Sequence, residues 1–210
     1  MLYSIALDPR DGSIWAADGG NRILMHISAN GEKLFEMPFV AFFSGSPHQI
    51  SIDPNNGNVW FTSTDKVYKI SPHGQILAKR DGFNHAVAIA LDPVTEQVWV
   101  ANFGSPGEEF AKSGTVAKLD SDGNVMLTLD MHSRAYMLGI NPFDETVWVG
   151  IDEKIIRYDK NGTIVGWQPG FNKPQSIVFA RTKNDLLTEI RCTISFYADR
   201  FSNGRTDTLP

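Results

Sequence analysis

Apolar and polar positions along this chain fall into short runs, none longer than a strand. The first four, YSIALD, GSIWAA, RILMHIS and EKLFEM, are rich in aliphatic and β-branched residues, and each is closed by turn formers. Such runs predict strands rather than helices. The pattern then repeats. IALDPRDGSIWAA, ISIDPNNGNVWFT, IALDPVTEQVWVA and LGINPFDETVWVG are four copies of one phrase, with Asp8, Asp53, Asp92 and Asn141 seven positions before Trp15, Trp60, Trp99 and Trp148. A turn glycine follows in each copy: Gly31, Gly74, Gly123 and Gly162. Tryptophan and glycine are 14 apart in the second and fourth copies, 16 in the first and 24 in the third. The next Asp-like position comes 18 residues after the glycine, or 22 after the first one. The unit is therefore 39 residues, with insertions at fixed places.

Turn chemistry separates the strands within a unit. Proline after the aspartate sets φ at the second turn position, and Gly or Asn accepts the left-handed conformation that closes the turn. Asn30-Gly31, His73-Gly74, Asp122-Gly123 and Asn161-Gly162 carry the hairpin pattern of a polar residue before glycine. Four short antiparallel strands per unit of about 40 residues predict an all-β protein, a β-propeller of four-stranded blades. Leucine-rich horseshoes need a shorter period, and helical repeats need a 3.6-residue stripe that is missing here. One tryptophan at the same point of each second strand is expected to pack between neighbouring sheets, with ligand stacking as the rival role. Asp8, Asp53 and Asp92 are expected to cap their turns through backbone N–H groups two residues on, a task Asn141 can share.

Four blades are clear, over residues 2–180, and a fifth is degenerate. PQSIVFA at 174–180 fits a first strand, but Ala180 takes the Asp-like position and Leu187 the tryptophan position. Lys183-Asn184-Asp185 would make the first turn and Asn203-Gly204 the second. Residues 181–210 read either as this degenerate blade or as an unrelated tail. Residues 1–210 are expected to form one domain, either a five-bladed ring or part of a larger one, and an open arc would self-associate. The first strand follows Met1 closely, so no signal peptide is expected and the compartment stays open.

A net charge of −5 and a pI near 5.5 argue against a nucleic-acid groove. No apolar run is long enough for a membrane helix. Cys192 is the sole cysteine, which rules out an internal disulfide and suggests a small packed apolar residue.

Three stretches carry a family resemblance. WAADGGNRILMHIS resembles an NHL repeat, in which a strand ends in Ala-Asp, a Gly/Asn turn follows and Arg-Ile opens the third strand. VWFTSTDKVYKISPHG resembles repeats of streptogramin lyase-like proteins, and VWVANFGSPGEEFAKSGTVAKLDSDG resembles the YVTN type of the same broad group. The likeness to this NHL and SMP-30-like superfamily covers about residues 2–180. It implies a propeller scaffold, of the six-bladed kind, on which lactonases, lyases and non-catalytic binding modules are all found. Function must then come from a site.

The resemblance implies that the first strands line a central channel, with the loops leading into them on one face. His48, His85 and His132 fall there, five, seven and nine residues before the Asp-like position. Convergent imidazoles would suit Zn²⁺ or acid–base work. Their unequal offsets weigh against a preformed metal site, because each two-residue step along a strand is about 6.6 Å. The position five before the Asp reads Tyr3, His48, Val87, Tyr136 and Gln175 around the ring. With His85, the polar members of that ring are candidate ligand-binding residues, against the plainer reading that they fill the channel.

Glu108, Glu109 and Lys112 sit in the third copy's insertion, on the same face. Phe39, Phe42 and Phe43, near the first copy's extra residues, are either an exposed apolar contact or tucked beneath their loop. In SMP-30-type lactonases the cation ligands are acidic and amide side chains around the channel. The resemblance therefore makes Asn84, in FNHAVAIALD, and Asn172, in FNKPQSI, candidate metal ligands, with His85 beside Asn84. In the lyase-like group it implies an essential His and Glu in later repeats with Mg²⁺, but no residue of the fifth copy matches. Two functions compete. One is an NHL-type binding module taking a small molecule or protein partner at the channel mouth. The other is a lyase or lactonase assisted by Ca²⁺, Mg²⁺ or Zn²⁺.

Overall fold

The structure is a computed structural model that describes residues 2–39, 45, 47–104, 114–180 and 191–193. Strands β1 (Leu2–Leu7), β2 (Ile14–Asp18), β3 (Ile23–Ile27) and β4 (Lys33–Pro38) form one sheet in that order. The second sheet is β5 (Pro47–Ile52), β6 (Val59–Ser63), β7 (Lys66–Ile70) and β8 (Ile76–Asp81). The third is β9 (Ala86–Leu91), β10 (Val98–Asn102), β11 (Thr115–Leu119) and β12 (Val125–Asp130). In the fourth, β13 (Ala135–Ile140), β14 (Val147–Ile151), β15 (Lys154–Tyr158) and β16 (Ile164–Pro169) complete the series. All pairings are antiparallel. Consecutive first strands β1, β5, β9 and β13 are packed neighbours, so the sheets stack radially as blades. No described helix is long and apolar enough to cross a membrane.

The described residues therefore make four complete blades, not six. A short fifth pair, β17 (Val178–Ala180) with β18 (Arg191–Thr193), follows. Of the residues singled out from sequence, Phe42, Phe43, Glu108, Glu109, Lys112, Lys183, Asn184, Asp185, Leu187, Asn203, Gly204 and the side chain of Cys192 lie outside the described residues. Phe39 does not form an exposed contact. It is fully buried, edge-on to Phe61 at 5.6 Å.

The turns form for the reasons the sequence gives. One carboxylate oxygen of Asp8, Asp53 and Asp92 accepts the backbone N–H two residues on, at 3.0, 2.9 and 3.0 Å. The amide oxygen of Asn141 accepts that of Phe143 at 3.0 Å. The second turn closes from Gly31, Gly74, Gly123 and Gly162 to the carbonyl three residues before, and all four glycines have φ of 80–85°. Only glycine adopts that geometry freely.

Each seam between blades holds one apolar cluster. Trp15 packs with Leu24, Ile50 and Phe61, Trp60 with Val67, Ile89 and Val100, and Trp99 with Val116, Leu138 and Val149. Trp15, Trp60 and Trp99 are at most 2% exposed, so the indoles are core. Trp148 is half-buried and meets Phe179 edge-on at 6.2 Å.

A cation lies across three of the four repeat indoles. Trp60, Trp99 and Trp148 pair across the strand with Lys69, Lys118 and Arg157, whose charges stand 5.4, 5.4 and 5.7 Å from the ring. The two lysines then donate to the next blade's turn, Lys69 to the Ser121 carbonyl and Lys118 to that of Lys160, both at 2.9 Å. The first seam differs. His26 stacks on Trp15 at 4.4 Å and engages Ser13 Oγ at 2.9 Å through Nε2. Thr146, at the position of Ser13, accepts the Trp148 indole N–H at 2.9 Å. With Ser13 taken by His26, the buried Trp15 Nε1 has no hydrogen-bond partner among the described residues.

Two outcomes follow from these seams. Trp60→Ala should cost about 3–5 kcal/mol, because the cavity between two sheets cannot fully collapse, and the half-exposed Trp148→Ala clearly less. Urea unfolding checks the order, and equal losses would refute the seam assignment. Burial holds the His26 imidazole below its ordinary value, with His73 adding to the shift and Asp11 and Asp8 opposing it. The fold thus prefers neutral His26. That contribution is intact above the unfolded value of about 6.5 and is lost as pH falls from there through the folded value. His26→Lys should flatten the decline of the thermal midpoint between about pH 7 and pH 5. An unchanged decline would show that His26 does not govern it.

Candidate channel-mouth site

Every first strand begins on the face where the second-to-third-strand loops and the links between blades lie. An inner strand is an edge strand whose backbone donors need acceptors. Here the preceding blade provides them. Ser4 Oγ accepts from Ile50 N at 3.4 Å, Gln49 Oε1 from Ile89 N at 2.7 Å, and Ser51 Oγ from Leu91 N at 3.1 Å. These bonds lock consecutive first strands in step, so residues one repeat apart meet at one level of the channel.

Tyr3 and His48 do meet: their rings stack at 5.2 Å, within 5° of parallel. Burial, and then the field of His85, hold the His48 imidazole below its ordinary value, so it is neutral near pH 7. Val87 is half-buried against the third seam. Gln175 leaves the ring: it is exposed and donates to the Lys173 carbonyl at 3.1 Å.

Tyr136 belongs to a network that the sequence reading missed. Asp152, in the loop between β14 and β15, accepts from Tyr136 Oη and from Ser133 Oγ, each at 2.6 Å, and from the Arg134 N–H at 3.3 Å. The Arg134 guanidinium lies 5.1 Å over the ring of Phe103, which also meets Tyr136 edge-on at 5.2 Å. Burial, followed by the bond to Asp152, pushes the Tyr136 phenol up to about 12. It is a neutral donor, not a base. Burial alone would raise the Asp152 carboxyl, but the bonds from Ser133, Tyr136 and Arg134 outweigh it and hold the group below its usual range. Only the acidic pair Asp152-Glu153 in IDEK and the run SRAY hinted at this cluster, and neither repeats in the other copies.

The metal candidates are spread out. His85 and Asn84 sit in the link before β9, and their carbonyls accept from Phe103 N at 2.8 Å and Gly104 N at 3.1 Å. His85 holds a left-handed φ of 54°. Asn172 stands at the equivalent repeat position two blades on, in an open cleft of about 450 Å³ lined by Glu153, Lys154, Pro169, Gly170 and Phe171. His132 points away, exposed and paired with Asp130 at 3.4 Å. Among the described residues no three His, Cys, Asp or Glu side chains are grouped to hold a metal, so the three histidines do not converge.

No family model matches the chain, and no curated protein matches it in sequence. Solved structures do match in shape. Hydrazine synthase of Kuenenia stuttgartiensis superposes with a TM-score of 0.69 at 13% identity, over 84% of this chain and 51% of that one. A streptogramin B lyase superposes with a TM-score of 0.67 at 16% identity, over 84% and 58%. The chain thus spans a little over half the length of these proteins and shares their propeller architecture. At such identities the likeness is one of fold alone.

The Asp152 network gives a direct test. Asp152→Asn should cost about 1–3 kcal/mol, since two hydroxyls lose a charged acceptor. A carboxyl held below its unfolded value stabilises the fold above about pH 4 and stops doing so as pH falls through the folded value. The variant should therefore lose less stability than the wild type on acidification below about pH 4, measured by chemical denaturation. Equal acid slopes would show that Asp152 is not held this way.

Proposed function

We propose that this chain is an NHL-type binding module that takes a small molecule or a protein partner at its channel mouth. The observation behind this reading is a set of aromatic and hydrogen-bonding groups on one face: exposed Tyr3 stacked on half-buried His48, and the half-buried Phe103–Arg134–Tyr136 group. Flat apolar surface beside fixed donors is what a ligand-orienting site requires. The un-ionised Tyr136 phenol suits hydrogen bonding better than proton abstraction.

The rival reading is a metal-assisted lyase or lactonase, with Asn84, His85 or Asn172 as cation ligands. The cleft that puts Asn172 beside Glu153 favours it. Two measurements separate the readings. Ligand-observed NMR with small aromatic acids and amides should find fragments whose affinity falls about tenfold in a His48→Ala, Tyr136→Phe double variant, the loss of one or two hydrogen bonds. Equal binding to both proteins would overturn the mouth site. Stoichiometric Ca²⁺, Mg²⁺ or Zn²⁺ in the purified protein, lost in Asn84→Ala or Asn172→Ala, would favour the enzyme.

A further inference from the structure

Three consecutive blade entries carry a basic side chain at one repeat position. The residue seven before the Asp-like position is His85, Arg134 and Lys173 in the third, fourth and fifth copies, where the first two have Met1 and Ser46. His85 and Lys173 also share a left-handed φ, 54° and 51°, in the matching runs Phe83-Asn84-His85 and Phe171-Asn172-Lys173. Equal repeat position means equal level at the mouth, so the three form an arc on the face that holds Tyr3, His48 and Tyr136. The two groups adjoin, because the field of His85 bears on His48.

A chain of contacts fixes the arc. The His85 carbonyl accepts from Phe103 N at 2.8 Å, and the Phe103 ring carries the Arg134 guanidinium at 5.1 Å. The Asp152 carboxylate accepts the Arg134 backbone N–H at 3.3 Å, and the Asp152 carbonyl accepts that of Lys173 at 2.8 Å. Asp152 therefore holds both residues by their backbones, while its oxygens are taken up by Ser133 and Tyr136. Neither the Arg134 guanidinium nor the Lys173 ammonium is ion-paired with a carboxylate among the described residues. Asp65, Asp81 and Asp130, on the same face, are already matched by Lys66, Lys79 and His132. Along these links and the β14–β15 loop, His85, Arg134, Lys154 and Lys173 stand against two acids, Asp152 and Glu153. On a chain with a net charge of −5, that excess of basic groups is local to the mouth.

We propose that the ligand taken at this mouth is an aromatic carboxylate, its anion received by Arg134 between His85 and Lys173 and its ring set against Phe103 and the Tyr3–His48 pair. This rests on the channel-mouth reading above and names the chemical class that the site selects. A guanidinium offers two parallel N–H donors that match both oxygens of a carboxylate, and a ring beside it suits a flat ligand body. A neutral ligand of the same shape keeps the ring contact and forfeits the charge. The arc also repels a divalent cation, which sets it against the metal-assisted reading.

The test compares naphthoate with naphthamide, which share a ring system and differ in charge. Binding is read by ligand-observed NMR, with circular dichroism confirming that each variant is folded. Wild type should bind naphthoate about tenfold more tightly than naphthamide. Arg134→Gln should bring that ratio close to one. Lys173→Asn, an exposed substitution that a left-handed φ tolerates, should lower it about two- to threefold. Lys33→Gln, at the Asp-Pro end of the first blade, should leave it unchanged. Raising NaCl from about 20 mM to about 500 mM should shrink the wild-type ratio. Equal affinity of wild type for the two probes overturns the inference, as does a ratio that survives Arg134→Gln. A ratio lost equally in Lys33→Gln is a general charge effect and overturns it too. In each of these cases the mouth reading stands, provided naphthamide binding still falls in the His48→Ala, Tyr136→Phe double variant. Naphthamide binding that is equal in wild type and double variant sinks the mouth reading, and the ring placement proposed here with it. No binding of either probe at a few millimolar sinks both.

Discussion

The indole in the seam is the constraint from which the rest of the molecule follows. Within a blade, strands pair with sequence neighbours, and those hydrogen bonds would form in any four-stranded meander. Nothing in them fixes one blade against the next. That coupling falls to Trp15, Trp60 and Trp99, each buried between its own sheet and the first strand of the following one. The cation across the ring does two jobs at once. It rests on the indole face, and in the second and third blades its ammonium reaches the following blade's turn carbonyl. Apolar area sets the strength of the seam, while the lysine bond sets its register. Blades coupled only to their neighbours make a quasi-linear array, whose stability is close to a sum of seam terms.

Register at the seam decides what meets at the mouth. Where Ser4, Gln49 and Ser51 cap the next first strand, the inner strands stay in step and Tyr3 lies flat on His48. The equivalent residues of the third blade are Ala88 and Ala90, whose side chains offer no acceptor. There the top of the seam is joined differently. Phe103 of the third blade receives Arg134 and Tyr136 of the fourth, and Asp152 fixes both at the backbone and the phenol. One side-chain device replaces another at the same structural place, and the replacement brings a charged group to the channel mouth.

Much of this was legible before any coordinates, because repetition turns a weak local pattern into a strong one. Three copies of Asp-Pro and one of Asn-Pro, each seven residues ahead of a tryptophan, fixed the blade, the turn caps and the seam indoles. The pairing of Tyr3 with His48 was readable too, since equal repeat position means equal level in the channel. What stayed hidden has a common cause: it depends on residues present in one copy only. Asp152 finds Ser133 and Tyr136 across a loop and a link, which no period can announce. Phe39 carried no sign of whether its ring faced water or the seam. The seam cations were visible as Lys69, Lys118 and Arg157 at one repeat position, yet charged residues on a strand read as solvated until the indole beneath them is seen.

The geometry also separates scaffold from chemistry within one blade. The indoles, their cations and the turn-capping aspartates lie toward the Asp-Pro end of the strands, where all four copies agree in spacing up to the second turn glycine or differ only by insertion at the opposite end. The departures from the 39-residue unit fall between β2 and β3, between β4 and β5 and between β10 and β11, all on the mouth face. Loops there can lengthen, or exchange an alanine for a charged cluster, without disturbing a seam that is closed lower down. A propeller of this kind can therefore hold the same shape as a lyase and as part of a hydrazine synthase at 16% and 13% identity. The repeated scaffold is set at one end of the blades, while the insertions and the side chains found in one copy only gather at the other, and the register of the inner strands links the two ends.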